Sequence, residues 1–157
     1  MPLRYYFVEE IVRELLERHI KDRDLTGKKV QQEAKELREK YNKIDKELGD
    51  DEQLVGLDWS EADLNSFNFK NVVLSTPGRQ PNFKNSYLSN ANLEGADLWG
   101  TNLEGADLQN ANLKRAILWG ANIRGAYLED AHLGGAKLQN ARIEEAHLQG
   151  THLERAN

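Results

Sequence analysis

Apolar residues follow two different periods in the two parts of the chain. In the first fifty residues they recur at intervals of three and four, which is the spacing of one face of a helix. From about residue 52 onward a period of five replaces that spacing. Gly49 lies at the change and can end a helix. The sequence therefore predicts a helical segment over residues 1–50 and a repeat segment over residues 51–157.

The N-terminal segment has the features of a helical hairpin. Its first apolar stripe consists of Val8, Ile11, Val12, Leu15, Leu16 and Ile20, and its second of Val30, Ala34, Leu37, Tyr41, Ile44 and Leu48. Between the stripes lie Gly27 and two residues that can cap a helix, Asp24 and Thr26. Acidic and basic residues four apart, such as Glu14 and Arg18, indicate a solvated outer face.

The repeat segment divides into fifteen consecutive blocks of five residues between Pro81 and Arg155. The third residue of each block is Phe, Leu or Ile, the first is mostly Ala, and the second is mostly polar. This order matches a three-residue strand whose first and third side chains share one face. The fifth residue is often Gly or Asn, which tolerate positive φ and allow the chain to turn. Each block is therefore predicted to form one side of a coil.

The pattern continues towards the N-terminus with less regularity. Three more blocks span residues 62–76, and residues 77–80 then interrupt the register, which we interpret as a loop inserted at a corner. Further blocks are centred on Trp59 and Leu54. Larger residues replace Ala at the inward position of these early blocks: Leu57, Phe67 and Val72. We therefore expect the first coil to be wider or less regular than the others.

Tandem blocks such as ADLWG and TNLEG resemble the repeats of the pentapeptide-repeat protein family over about residues 52–157. The resemblance implies an all-β solenoid, a right-handed quadrilateral parallel β-helix with four blocks per coil and its Ala and Leu positions packed inward. Small members of this kind are abundant in cyanobacteria. We expect the N-terminal hairpin to cover the first coil, because an open coil exposes backbone groups and an apolar core.

The last coil has no corresponding cover in the sequence. The chain stops two residues into a block, so the coil that contains Leu148 and Leu153 is left open. We expect either a homodimer that meets end to end through this C-terminal coil, or a truncated chain.

Two tryptophans interrupt the polar surface of the repeats. Trp99 and Trp119 each follow the central Leu of a block and are twenty residues apart, so both are predicted to point outward, one coil apart. Ile117 lies beside Trp119 at a position where many blocks carry Asn or Asp. Tyr127 lies on another face and could extend a recognition surface. The candidate partner-binding residues are Trp99, Ile117, Trp119 and Tyr127.

Two interpretations of this apolar patch stay open. The N-terminal hairpin or the loop of residues 77–80 could fold over it, or the two rings could stack on each other. Alternatively, the patch is a docking site for another protein, because large exposed apolar groups and aromatic side chains mark binding surfaces.

Composition limits the compartment and the partners. The chain has 157 residues, no cysteine and a formal net charge of -5. No stretch approaches the roughly 18 apolar residues of a membrane span, and the N-terminus turns acidic too early for a signal peptide. We therefore expect a soluble cytoplasmic protein that needs no membrane, and the charge argues against nucleic-acid binding. Without cysteine, disulfides and thiolate chemistry are excluded.

Catalytic and metal chemistry find little support in the sequence. Inward positions filled by Ala and Leu leave no cavity, and neither a phosphate-binding loop nor a Ser-His-Asp grouping is recognisable. His132 and His152 fall in one outward column, and His147 is nearby, but a structural zinc site needs about four ligands. We therefore predict that the protein is not an enzyme and has no cofactor or metal, and we interpret the histidines as part of a polar ladder.

The sequence favours a non-enzymatic protein-binding or regulatory scaffold. The family resemblance implies an alternative, a DNA-mimic protein that binds DNA gyrase. Such mimicry needs a strongly acidic surface, whereas residues 52–157 carry 13 acidic and 9 basic residues, a net charge of -4, and lack the C-terminal dimerising helix of the gyrase-protecting relatives. A further alternative is a structural spacer that the helical hairpin tethers as a coiled coil.

Overall fold

The computed structural model describes residues 14–18, 26, 30, 32–36 and 54–157. Residues 14–18 are helical, as are residue 30 and residues 32–36. Arg18 donates a hydrogen bond to Glu14 at 3.2 Å, so this acid–base pair forms on the helix surface. The remainder of the predicted hairpin, with Gly27, Gly49 and the boundary near residue 50, lies outside the described residues.

The helical residues share a core with the repeats. Leu15 and Ala34 are fully buried and Val30 is 3% exposed. All three belong to the same cluster of buried residues as Leu54 and Trp59 at the start of the repeat segment. The apolar stripes of the helical segment are thus used in packing at their described positions.

Residues 57–155 form a parallel β-solenoid. Single-residue parallel bridges join the second residue of each block to the residue twenty positions later, from Asn82 with Asn102 to His132 with His152. Backbone N–H groups of each coil donate hydrogen bonds to the coils on both sides of it. The Leu103 N–H donates to the Asn122 carbonyl in the following coil at 2.7 Å, and the Asn102 N–H donates to the Pro81 carbonyl in the preceding coil at 3.2 Å. Because every bridge is followed by a turn, a coil of twenty residues has four short sides.

We number the sides from the coil of residues 101–120, in which residues 101–105, 106–110, 111–115 and 116–120 form the first, second, third and fourth sides. Positions twenty residues apart lie on the same side of neighbouring coils. The second side therefore neighbours the first and third sides, and it shares no corner with the fourth.

The first coil differs from the others by an insertion. Its bridges join residues 24 apart, such as Asp58 with Asn82, because residues 77–80 are added before the register resumes. The Arg79 N–H donates to the Thr76 carbonyl at 2.9 Å, and these two residues form an antiparallel bridge. Gly78 has a φ of 81°, which the third residue of a type II turn requires. The inserted residues thus form a tight turn at the corner between the fourth and first sides.

Apolar side chains fill the interior of the coils. The first and third residues of the blocks are buried as far as Ala136, except Ala62, which is partly buried. Larger side chains occupy the first coils, where Trp59 stacks on Phe83 with ring centroids 5.9 Å apart and meets the edge of Phe69 at 5.8 Å. These three rings hold the central block position, where aromatic volume takes the place of the Leu residues that line the later coils.

Burial decreases at the other end of the solenoid. Ile143, Leu148 and Leu153 hold the same central block position as the buried Leu residues, yet they are 49%, 36% and 43% exposed. Among the described residues no further coil packs over them. The last coil therefore presents an apolar end face.

Candidate protein-docking surface

The apolar patch predicted from the sequence forms on the fourth side. Ile117 is bridged to Asp97 in the preceding coil and to Lys137 in the following coil. Trp99 and Trp119 come two residues after Asp97 and Ile117 on the same side. The structure thus brings Trp99, Ile117 and Trp119 together, and we call these three residues the Trp face.

Trp119 is the exposed member of the Trp face. Its side chain is 43% exposed although the preceding residue, Leu118, is only 1% exposed. The Lys137 ammonium lies over the indole, 5.2 Å from the ring centroid. A cation at this distance is attracted by the negative ring face, so Lys137 is held beside the exposed aromatic surface.

Trp99 is less exposed than Trp119 and is fixed by its neighbours. Its backbone N–H donates to the Asp97 carboxylate at 3.1 Å, and its backbone carbonyl accepts a 2.5 Å hydrogen bond from the Ser75 hydroxyl in the first coil. The aromatic ring pairs within residues 54–157 do not include Trp99 with Trp119. The two indoles therefore do not stack on each other, and such stacking is not what partly buries Trp99.

Tyr127 lies on the second side, away from the Trp face. It is 42% exposed, and its ring stacks on His147 at 4.8 Å with an interplanar angle of 13°. Tyr87, on the same side, is 52% exposed. The structure thus separates Tyr127 from the two Trp residues and places it with Tyr87 and His147.

Cations surround the Trp face, although the repeat pattern did not mark them as site residues. Lys114 and Arg115 end the block that precedes Ile117, and both are exposed, as is Lys137. Among the described residues none of the three has an ion pair. Their positions in the twenty-residue register would have been enough to find them.

Two ion pairs join neighbouring coils on the first and third sides. On the first side Lys84 lies 2.9 Å from Glu104, and hydrogen bonds from Lys84 and Asn122 lower the pKa of the Glu104 carboxyl. On the third side the hydrogen bond from Lys70, at 3.0 Å, lowers the pKa of Glu94, and the charge of Arg115 acts in the same direction. These exposed pairs stabilise neighbouring coils only modestly.

The histidines form a stack on the third side. The rings of His132 and His152 are 4.7 Å apart and tilted by 31°. Within the described part of the chain no group of three or more His, Cys, Asp or Glu side chains is arranged to hold a metal ion. Two imidazoles provide half of the ligands of a closed zinc site.

Together these features define the class of protein: a parallel β-solenoid of five-residue blocks whose candidate site is an outer surface. The family model for pentapeptide repeats matches residues 82–120 and 121–157, with eight copies. Residues 82–157 of the chain therefore carry pentapeptide repeats. No curated protein matches the sequence. None of the helices in the described residues is long and apolar enough to cross a membrane.

Several solved structures are similar to this chain. A pentapeptide repeat protein from the Arabidopsis thaliana thylakoid lumen is 33% identical over 62% of this chain and 62% of its own length, with a TM-score of 0.48. HetL from Nostoc sp. strain PCC 7120, involved in heterocyst differentiation regulation, is 28% identical over 66% and 56% of the two chains, with a TM-score of 0.29. QnrB1, a plasmid-mediated fluoroquinolone resistance protein, is 18% identical over 63% and 58%, with a TM-score of 0.49. The match thus spans about three fifths of the length of these relatives.

Proposed function

We propose that this chain is a non-enzymatic protein-binding scaffold and that the Trp face is its docking surface. The exposure of Trp119 carries the proposal, because a 43% exposed indole beside Ile117 is costly on a regular polar surface without a partner. Aromatic side chains dominate the energetic centres of protein interfaces. The unpaired cations at the edge of the patch provide the polar rim that such interfaces have.

The interior of the solenoid supports a binding role over a catalytic one. The inward positions between Trp59 and Ala136 are occupied by side chains that are nearly all apolar and, apart from the partly buried Ala62, buried. Enzymes generally need a concave pocket with convergent polar groups. A packed interior with a regular outer surface suits recognition of a macromolecule.

We further propose that the coil is a right-handed quadrilateral β-helix and that the N-terminal helical hairpin covers its first coil. The burial of Leu15, Val30 and Ala34 in one cluster with Trp59 supports a cap. A capping role also disfavours the alternative in which the hairpin is a coiled-coil tether, since these apolar positions would then face another chain.

A DNA-mimic role in binding gyrase has one observation in its favour. The second side carries Asp63, Asp107, Glu129 and Asp130 and neither Lys nor Arg. A surface that replaces DNA needs acidic groups on more than one side, however, because phosphates line both strands of the duplex. The basic residues Lys70, Lys114 and Arg115 on the third side make this the weaker proposal.

Two more predictions go with the scaffold role. The exposed end face of Ile143, Leu148 and Leu153 supports an end-to-end homodimer, which Ile143→Lys should dissociate in a sedimentation experiment.

The proposed cytoplasmic location rests on the composition of the chain alone.

Affinity capture from an extract of the source cells tests the docking surface. The wild-type chain should retain a partner protein. The Trp99→Gln, Trp119→Gln double variant should bind the same partner with an affinity more than about tenfold lower, which corresponds to a loss of about 1.4 kcal/mol in binding free energy. A matched control is Gln139→Ala, which changes an exposed residue of the same column without removing aromatic surface.

Retention of the same partner by the double variant would contradict the proposal. Each variant is first compared with the wild type by circular dichroism and by its unfolding midpoint, so that a lost partner reports the surface rather than the fold.

A further inference from the structure

The two stacked histidines on the third side are held next to each other by the backbone. His132 and His152 form a parallel bridge between the last two coils. The Leu133 N–H donates to the His152 carbonyl at 2.8 Å, and the His152 N–H donates to the Ala131 carbonyl at 2.9 Å. These bonds fix the two backbones on both flanks of the pair, and the ring centroids are 4.7 Å apart. The pair is therefore organised by the fold before any ligand binds.

The ring nitrogens of this pair are not used by the protein. In the preceding rungs of the same column the Asn112 amide donates to the Asn92 side-chain oxygen at 3.3 Å. Histidine replaces asparagine at the next two rungs, and among the described residues neither imidazole takes part in a hydrogen bond or an ion pair. His132 is half-buried and His152 is exposed. A neutral imidazole carries one nitrogen lone pair, so both rings offer a free ligand atom to an ion from solvent.

The spacing of the two rings suits one shared ion. A bond from an imidazole nitrogen to zinc is about 2.0–2.1 Å long, so two nitrogens that bind one ion lie at most about 4.2 Å apart. The ring centroids are only slightly further apart, and a tilt of 31° brings the rings closer together at one edge than at their centres. A small rotation of the exposed His152 ring is therefore enough for both imidazoles to bind the same ion.

We propose that His132 and His152 form an open binding site for one divalent late transition metal ion of the class of Cu²⁺, Ni²⁺ and Zn²⁺. Imidazole suits these metals, whereas Mg²⁺ prefers oxygen ligands. Water completes the coordination, because the described part of the chain has no group of three or more ligand side chains. The inference revises the expectation that these histidines only continue a polar ladder. It goes beyond the proposed function and makes no use of the Trp face.

The charges around the pair balance one another. Three basic and three acidic residues lie at the two corners that flank it: Lys114, Arg115, Arg155, Glu129, Asp130 and Glu154. Coordination by neutral imidazoles in such surroundings should depend little on ionic strength. Diffuse attraction of a cation to the acidic second side would instead weaken as salt screens the exposed carboxylates. The salt dependence of binding therefore separates the two kinds of binding.

Gly134 provides a position at which a third ligand can be added. On the first side the Glu104 carboxylate accepts a hydrogen bond from the side chain of Asn122, eighteen residues later, at 3.1 Å. Gly134 precedes His152 by the same eighteen residues on the third side. A Cβ there would meet its nearest neighbouring atom at 3.7 Å, an ordinary contact. Gly134→Glu should therefore bring a carboxylate to the His152 imidazole.

Isothermal titration calorimetry of the purified, untagged full-length chain with Cu²⁺, Ni²⁺ and Zn²⁺ salts tests the site. The wild type should bind one ion, most tightly Cu²⁺, and should not bind Mg²⁺. His132→Asn and His152→Asn restore the residue of the preceding rungs and leave one imidazole. Each should weaken binding by at least about tenfold, because the second imidazole of a fixed pair acts at a high effective concentration. Gly134→Glu should tighten binding by about tenfold for the same reason.

His147→Asn is the matched control. It removes one exposed histidine of the last coil that lies on the second side, where its ring stacks on Tyr127 at 4.8 Å. Its affinity for each metal should stay within about twofold of the wild type, because His147 is outside the pair. The wild-type affinity should also stay within about twofold between about 20 mM and about 0.5 M ionic strength.

Thermal unfolding gives a second, independent measurement. An ion that binds the folded pair stabilises the folded state by mass action. Zn²⁺ at about ten times its dissociation constant should raise the unfolding midpoint of the wild type by about 3 °C and leave that of His132→Asn unchanged. Circular dichroism of each variant without metal establishes that the coils are intact.

Five results would overturn the proposed site. They are equal affinities of the wild type and His132→Asn, a loss in His147→Asn as large as that in His132→Asn, no gain in Gly134→Glu, wild-type binding that disappears at high salt, and an equal rise of the unfolding midpoint in His132→Asn. None of these results concerns the Trp face, whose test measures a cellular partner, so the two proposals can fail separately.

Discussion

Two polar residues occupy buried block positions that usually hold Ala, and they differ in their hydrogen bonds. The Ser86 hydroxyl donates to the Phe83 carbonyl at 2.8 Å, so this buried group is satisfied. The Thr101 hydroxyl is buried and has no hydrogen-bond partner among the described residues. A buried polar group without a partner costs free energy, whereas a bonded one is close to neutral or favourable.

Replacement of these two residues should therefore change stability in opposite directions. Thr101→Val keeps the side-chain shape and removes the unpartnered hydroxyl, so we expect a gain of about 1 kcal/mol in the free energy of unfolding. Ser86→Ala removes a formed hydrogen bond and should cost about 1 kcal/mol. Urea unfolding followed by circular dichroism measures both, and a Thr101→Val variant less stable than the wild type would contradict the account.

Glycine at the corners has two distinct roles. Gly105 and Gly120 both have positive φ, 65° and 64°. A Cβ at Gly105 would lie 2.5 Å from the Asn85 side-chain oxygen in the preceding coil, whereas a Cβ at Gly120 would meet nothing within 4 Å. Gly120 is thus favoured by backbone conformation alone, and Gly105 by conformation and by close approach of a neighbouring coil.

Alanine at the two positions separates these roles. Gly120→Ala should cost about 1–2 kcal/mol, the strain of a left-handed residue with a Cβ. Gly105→Ala should cost more, and adding Asn85→Gly should recover the difference because it removes the obstructing side chain. Unfolding free energies of the three variants provide the measurement. Equal costs at the two glycines would show that the corner packing is looser than described.

At the scale of the blocks, side-chain ladders connect successive coils on the first side. Asn102 donates to Asn82 at 3.1 Å, and Asn122 donates to both Asn102 and Glu104, each at 3.1 Å. The side-chain oxygen of Asn102 also accepts the Glu104 N–H at 3.2 Å. A polar second residue therefore joins its own turn to the neighbouring coils. The preference for Asn and Asp at this position follows from their short, branched hydrogen-bonding side chains.

The ion pair between Lys84 and Glu104 on the same side predicts a pH dependence of stability. The folded-state pKa of Glu104 is lowered by its hydrogen bonds from Lys84 and Asn122, so its ionised form stabilises the fold at pH values above the ordinary value of 4.5. That contribution should be lost as the pH falls below 4.5 and the carboxyl takes up a proton. The midpoint of urea unfolding, measured between pH 7 and pH 3, should fall less steeply in Glu104→Gln than in the wild type.

Lys84→Gln serves as the matched variant for this measurement. It removes the cation that is the first cause of the lowered pKa and leaves the carboxyl in place. Its pH profile should therefore lie between those of the wild type and Glu104→Gln. A Lys84→Gln profile identical to the wild type would show that the ion pair contributes nothing.

The sequence predicts the blocks well because their period leaves little freedom. A residue two positions before a central Leu must share its inward face, so the buried Ala106 and Leu108 follow from the pattern alone. The twenty-residue register places Ile117 beside Lys137 for the same reason. Local details depend on contacts that the period does not contain. The hydrogen bond from Ser75 to the Trp99 carbonyl spans an insertion, and its pairing could not be deduced from a regular repeat.

At the scale of the whole molecule, the solenoid separates a structural interior from distinct outer sides. Inward positions determine stability, and outer sides that share no corner can each carry their own recognition chemistry. Tyr127 and the Trp face illustrate this separation, since the same four-sided coil directs them to sides without a common corner. The helical segment adds a third part, whose Leu15 and Ala34 are buried in the common core.

The central claim is that Trp119 faces a free outer surface, although its neighbour Leu118 faces the core. The most direct test compares the unfolding free energies of Trp119→Gln and Leu118→Ala with that of the wild type at a protein concentration too low for association. Leu118→Ala should lose about 2–5 kcal/mol, as expected for a truncated core residue, and Trp119→Gln should stay within about 0.5 kcal/mol of the wild type. A loss for Trp119→Gln comparable to that for Leu118→Ala would mean that the indole packs within its own chain, and it would contradict the account.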